Sequence, residues 1–256
     1  WQANMDTEDI FFQKRIQDLA DQSWRNNVYT FTGFLTMAQQ DLYLQMLPRL
    51  GPVESSLYGG TDGCERQVLR FGGEQSLGYE EPFPICCIRV RPALAKFADA
   101  LTHRDYLGAL MHLGSERSTI GDIVLREQET YLFCLDQVAD YILEELTRIR
   151  HTTVRCQKMD QVPEAVRPSL EPCRLIVSSM RLDTVIAKLY HLSRSQSLDL
   201  FREQKVFVGG RQTTQNSGLL RPGDVVSVRG YGKFICGQSS GQTKKGNLYV
   251  EVSRYV

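Results

Sequence analysis

No apolar run in this chain approaches the roughly 20 residues that a bilayer-spanning helix needs, so no membrane partner is expected. Residues Trp1–Ala20 lack the basic-then-apolar order of a secretory signal and read instead as acidic and amphipathic. The seven cysteines (Cys64, Cys86, Cys87, Cys134, Cys156, Cys173 and Cys236) include no C-x-x-C spacing. That excludes the usual signatures of a zinc site or a disulfide framework, and reduced core thiols in a cytoplasmic protein fit better. No metal or other cofactor is expected. The body also lacks nucleotide-binding motifs and a glycine-rich loop after a parallel strand. The one glycine-rich turn, Gly59-Gly60-Thr61-Asp62-Gly63, is followed by Cys64-Glu65-Arg66 rather than the Lys-Ser or Lys-Thr of a phosphate loop, so it reads as a hairpin turn.

A net charge is absent as well, with 30 Lys+Arg against 30 Asp+Glu, but the cancellation hides a division. Arg174–Val256 carries 13 basic residues against 5 acidic ones, and residues 1–173 carry 17 against 25. A basic module joined to an acidic body points to a polyanionic partner for the module. A hydrophobic fraction of 42% and a charged fraction of 23% are ordinary for globular protein. The length of 256 residues allows two or three small domains.

The patterning predicts an α+β chain. Asp6–Asn26 reads as a helix with Ile10, Phe11, Ile16 and Leu19 along its apolar side, and Met37–Leu47 as a second helix stopped by Pro48. Val53–Tyr58 and Arg66–Phe71 read as a hairpin, giving a helical and hairpin N-terminal region over residues 1–75. Residues 76–160 give strand, helix, strand, strand, helix, strand. The strands fall at Ile85–Val90, Ile123–Leu125, Tyr131–Leu135 and Val154–Gln157, and the helices at Thr102–Leu113 and Val138–Ile149. This is the order of a ferredoxin-like, RRM-like middle domain. Thr102 and Asp105 form a capping box, and Gly114 suits the helix end. Tyr131 and Phe133 could stack on RNA bases or could equally be core, since the Lys/Arg-Gly-aromatic signature of stacking strands is missing. Residues 161–173, with Pro163, Pro168 and Pro172, read as a linker.

In the basic module, residues 174–256, Leu182, Val185, Ile186 and Leu189 mark a helix with one buried stripe. Ser193 and Gln196 form the capping box of a second helix. Val206–Val208 and Val225–Val228 read as strands, with Arg221-Pro222-Gly223-Asp224 as the turn before the latter. Arg181 and Arg194 fall in the first turns of the two helices, where a cation opposes the helix dipole by roughly 0.3–1 kcal/mol. Either Arg181 pairs with Asp183 in solvent, or the two guanidiniums and the helix-start amides take an RNA phosphate together.

Arg181-Leu182-Asp183, Ser193-Arg194, Lys205-Val206-x-Val208 and Gly223-Asp224-x-x-x-Val228 together resemble the S4 RNA-binding domain. Gln204 stands where a glycine usually ends the second helix, and Gly209 where an asparagine usually follows the strand. The remaining motifs resemble the bacterial YlmH family of S4 proteins. They are Tyr58 through Arg66, Leu101 through Gly114, Arg117 with Ile120-Gly121-Asp122-Ile123, Arg229 through Phe234 and Thr243-Lys244-Lys245-Gly246, with Asn247 where an arginine is common. The resemblance implies a non-catalytic protein that binds rRNA or tRNA on the large ribosomal subunit. It would support C-terminal tailing of obstructed nascent chains, with tailing factors as further partners and a monomeric state. The expected RNA-binding residues are Arg181, Ser193, Arg194 and Ser195, extended by Lys205, Arg229, Lys233, Lys244 and Lys245. The alternatives are an adaptor linked to cell division with incidental RNA binding, and an RNA-modifying enzyme. For the enzyme, His103-Arg104-Asp105 is a poor catalytic cluster, because adjacent helical residues diverge by about 100°. Helix-start capping and contact with a neighbouring domain suit it better.

Overall fold

The computed structural model describes residues 7–94, 100–127 and 129–256 and divides the chain into two compact units, residues 1–167 and 168–256. The first unit begins with α1 (Thr7–Asn26), β1 (Thr30–Leu35), α2 (Met37–Met46), β2 (Ser55–Tyr58), β3 (Gln67–Phe71) and the short α3 (Glu74–Leu77). The expected helix start at Asp6 lies outside the described residues. Ile16, Leu19 and Ala20 of α1 are buried, whereas Phe11 is 68% exposed, so the apolar side is narrower than the sequence suggests. β1 was not expected. Gly33 interrupts its apolar pattern, and the β1–β3 pairing is irregular between Phe31 and Phe34. A Cβ on Gly33 would lie 2.8 Å from the Ser118 carbonyl oxygen, so glycine is needed for this close approach.

The unit continues with β4 (Ile85–Pro92), α4 (His103–His112), β5 (Ile120–Leu125), β6 (Thr130–Leu135), α5 (Asp136–Glu145), β7 (Arg148–Ile149) and β8 (Thr152–Met159). The sheet order β5-β6-β4-β8, antiparallel throughout, is the ferredoxin-like arrangement. The capping box at Thr102 and Asp105 is present, and Gly114 takes φ +84° beyond the helix end. α5 stops four residues short of the expected Ile149. Arg150, at φ +53°, turns the chain so that Arg148 and Ile149 pair with Thr153 and Thr152.

Alternation along the strands sorts this unit into layers. Cys86, Ile88, Leu132 and Cys134 face α4 and α5, while Cys87, Tyr131, Phe133 and Leu135 face Phe34, Cys64 and Val68 of the N-terminal region. On the far side of the β1-β3-β2 sheet, Leu35, Leu69 and Phe71 pack against Ile16 and Leu19 of α1 and Tyr43 of α2. The expected boundary at residues 75 and 76 therefore falls inside one packed unit.

The second unit comprises β9 (Leu170–Val177), α6 (Leu182–Leu189), α7 (Arg194–Arg202), β10 (Val206–Val208), β11 (Arg211–Gln212), β12 (Val225–Val228), β13 (Gly232–Gln242) and β14 (Leu248–Tyr255). Its antiparallel sheet runs β11-β10-β12-β13-β14-β9. The stretch read as a linker holds a 3-10 turn at Glu164–Val166 and the first half of β9. Pro172 is tolerated there because β9 lies at the sheet edge. Leu182, Val185, Ile186 and Leu189 join Val206, Val226, Phe234 and Val250 in the core, as the i, i+3, i+4, i+7 spacing requires.

Candidate nucleic-acid interface

A hydrogen bond ties the first turns of α6 and α7 together. The Ser197 hydroxyl, buried in α7, donates to the Asp183 carbonyl at 2.9 Å. Beside them an open groove of about 490 Å³ is lined by the end of β9 and both helices, including Ser178, Ser179, Arg181, Lys188 and Arg194. Leu192 and Ile176 supply its apolar wall. The two helix-start arginines therefore border one surface.

Their local settings differ. Arg181 is the N-cap of α6, and its guanidinium donates twice to the Asp183 carboxylate, at 3.1 and 2.7 Å. Asn216 and Thr184 donate to the same carboxylate at 2.8 and 3.3 Å. Burial works against the Asp183 charge, but these bonds outweigh it and hold the carboxyl below the usual range. The amides of Leu182 and Asp183 donate to the carbonyls of Gly218 and Asn216. The α6 start is thus satisfied from within: Arg181 pairs with Asp183, although the carboxylate is buried rather than in solvent. What remains for a ligand is an oriented guanidinium edge.

At α7 the capping box is complete. Gln196 N donates to Ser193 Oγ at 3.2 Å, and Ser193 N donates to Gln196 Oε1 at 2.8 Å. Ser193, Arg194 and Ser195 are all exposed. Among the described residues no carboxylate pairs with Arg194. Its cation sits at the positive end of a nine-residue helix, the costly placement expected from the sequence.

The other expected residues divide into two groups along β13. Lys244 and Lys245 occupy the tip of the β13–β14 hairpin, just beyond Leu248. Leu248 pairs with Val177, whose chain continues into the groove-lining Ser178 and Ser179, so this tip and the groove share one end of the sheet. Lys205, Arg229 and Lys233 gather at the other end. The Arg229 amide donates to the Lys205 carbonyl, and Lys233 follows the turn from β12 to β13. From Lys233 to Gln242 an extended strand spans roughly 30 Å. Lys205 is ion-paired with Glu203 at 2.5 Å, and the Lys233 ammonium lies over the Tyr255 ring, 4.9 Å from its centre. Lys188 was missed from sequence, although Arg181, Thr184 and Lys188 lie at helical spacing opposite the buried stripe.

The aromatic face of the middle sheet is covered. Tyr131 is 2% exposed and Phe133 wholly buried under the N-terminal region, so of the two readings of this pair the core reading holds. The motifs that carry the family resemblance close this joint. The Asp122 carboxylate accepts from the amides of Glu65 and Arg66 at 2.6 and 3.0 Å. Arg66 in turn donates to the carbonyls of Phe34, Arg117 and Ile120. Burial raises the Asp122 pKa, against the lowering by these amides and by Arg66 and Arg117. Asp105 spends its carboxylate on the Thr102 cap and on Arg150 at 3.6 Å. Burial, with Arg117 nearby, lowers the His103 pKa. Among the described residues no three His, Cys, Asp or Glu groups converge as a metal would require. No helix among them is long and apolar enough to cross a membrane.

Two family models match the chain: a putative RNA-binding domain in YlmH over residues 79–162, and the S4 domain over residues 180–226. Over 227 residues the chain is 31% identical to the Ribosome-associated protein quality control protein P2 of Bacillus subtilis (strain 168), covering 87% of this chain and 86% of that protein. Among solved structures, the Cell division protein ylmH from Streptococcus pneumoniae shares the fold with a TM-score of 0.50 at 16% identity, covering 62% of this chain and 95% of that one.

Proposed function

This chain belongs to the YlmH family of S4-domain RNA-binding proteins, and from that premise we propose that it binds rRNA or tRNA on the large ribosomal subunit and carries out no covalent chemistry. The Bacillus relative is named for ribosome-associated quality control, which supports a role in the rescue of stalled ribosomes. By this reading the protein works in the cytoplasm as a monomer, together with factors that extend the stalled chain.

The observation that carries the reading is the groove, with an unpaired Arg194 at one helix start and an oriented Arg181 at the other. Ser193 and Ser195 offer hydroxyls beside Arg194, and Lys244 and Lys245 add charge at the same end of the sheet. Lys205, Arg229 and Lys233 form a second, weaker contact region. Binding of this kind is electrostatic, so affinity falls steeply with salt.

Co-sedimentation with purified large subunits over a salt series tests the proposal. Wild-type protein should pellet with subunits at low salt and be released as salt rises. Arg194→Ala should bind about five-fold more weakly, and its log–log salt slope should be shallower by about 0.7–0.9. Failure of the wild type to pellet at low salt would overturn the ribosomal reading.

A further inference from the structure

Two thiols in the middle sheet are arranged for chemistry that RNA binding does not use. Cys86 on β4 and Cys134 on β6 are direct cross-strand partners, with their sulfur atoms 3.4 Å apart. Directly opposed residues on antiparallel strands have Cα atoms about 4.5–5.5 Å apart, which lies inside the range of about 4.4–6.8 Å that a disulfide spans. Joining the two sulfurs therefore needs side-chain approach but no strand shift. Cys87, the sequence neighbour, faces the opposite side of the sheet.

Access to the pair comes from one side. Cys86 lines an open surface pocket of about 360 Å³ together with Lys158 and Asp136, which form an ion pair at 3.7 Å across it. Cys134 is wholly buried behind Cys86. The hydrogen bond from Cys134 favours the Cys86 thiolate. Burial opposes that charge, Lys158 assists it, and Asp136 and Asp140 resist it, with a net lowering of the pKa. The Cys134 thiol is pushed up, first by that same bond and then by burial. One thiol is therefore the more ready nucleophile, and the other keeps its proton.

We propose that Cys86 and Cys134 form an oxidative modification site at which hydrogen peroxide, entering through the pocket, produces a disulfide that staples β4 to β6. The Cys86 thiolate attacks the peroxide, an S–O bond forms and the O–O bond breaks. Cys86 becomes a sulfenic acid, and the released hydroxide takes up the proton that Cys86 gave up. The Cys134 sulfur then attacks the sulfenic sulfur. The S–S bond forms as the S–O bond breaks, and the Cys134 proton departs with the oxygen as water. In total, two thiols are oxidised and one peroxide is reduced to two waters.

Full-length protein treated with hydrogen peroxide at neutral pH, then alkylated, digested and mapped by mass spectrometry, tests the site without any variant. The expected product is a peptide pair linked between Cys86 and Cys134, reversed by dithiothreitol, with Cys87 still alkylated. Oxidation confined to the more accessible Cys156 and Cys173, with Cys86 and Cys134 still open to alkylation after unfolding, would overturn it. So would a Cys86 carried to sulfinic acid with no link. In Cys134→Ser, the Cys86 sulfenic acid should persist and be trapped by dimedone. A folded variant that yields no adduct counts against Cys86 as the attacking thiol.

Discussion

Two sheets in this chain belong to folds able to hold RNA, and they are finished differently. All six residues of β6, an interior strand of the middle sheet, are buried, because helices cover one face and the N-terminal region covers the other. β9, at the edge of the S4 sheet, is exposed over Leu170–Pro172, alternates between exposed and buried from Arg174 to Val177, and runs directly into the groove-lining Ser178 and Ser179. A ferredoxin-like topology therefore does not by itself provide a stacking surface. In this chain the aromatic face has become an internal joint, and the accessible cations with a groove between them are in the other unit.

The hardest way to break that contrast is to wedge the joint open. Gly60 takes φ +106°, and a Cβ there would lie 2.3 Å from a Phe133 ring carbon. Gly60→Ala should destabilise the first unit by about 3 kcal/mol through clash and backbone strain. Trp24 lies in α1 and residues 168–256 contain no tryptophan, so tryptophan fluorescence during urea unfolding does not report on the second unit. The expected result is an earlier fluorescence transition while folded protein keeps its RNA affinity. Lost RNA affinity in folded protein would mean that the covered sheet contributes to binding after all.

The second test addresses the rigidity of the groove. Asp183 holds Arg181, Asn216 and Thr184, so Asp183→Asn should cost about 2 kcal/mol at neutral pH. Because the folded carboxyl titrates below its unfolded value of about 3.9, its stabilisation is complete above that pH. It is lost as pH falls through the lower, folded value. The stability gap between wild type and variant, followed by circular dichroism, should therefore narrow below about pH 4. A gap that stays constant on acidification would mean that the ion pair contributes nothing.

Legibility in the sequence followed the range of the interaction. Both S4 helices could be read because their apolar period and the Ser193–Gln196 box act within one or two turns. The ferredoxin-like order was readable because each strand and helix carries its own period. β1 and β13 were not, since Gly33 in the first and Gly237, Ser239, Ser240 and Gly241 in the second dilute the strand pattern. Glycine is needed at two of these positions by the backbone of a distant segment, Ser118 for Gly33 and Glu251 for Gly237. The joint itself had no local signal. Asp122 reaches amides more than fifty residues away, and only the fold brings them together. For the site, residue types were legible while their grouping was not, because strand register decides which cations share an end of the sheet.

The smallest effect separates the two cation groups. Gln204 ends the loop after α7 at φ +55°, the left-handed conformation that a glycine adopts freely. The side chain at this position therefore carries backbone strain that glycine would not. Its amide donates to the Phe201 carbonyl, and its own carbonyl accepts from Gln212, so Gln204→Gly would retain both bonds. Relieving left-handed strain returns roughly 1–2 kcal/mol, while the added freedom of an unfolded glycine removes about 0.5–1 kcal/mol. The net expectation is a gain of about 0.5 kcal/mol in the second unit, read as a later unfolding transition. Gln204 is outside the groove and adjoins Lys205, so RNA affinity should stay unchanged if the groove end dominates. An affinity that shifts with this substitution would place Lys205, Arg229 and Lys233 in the principal contact instead.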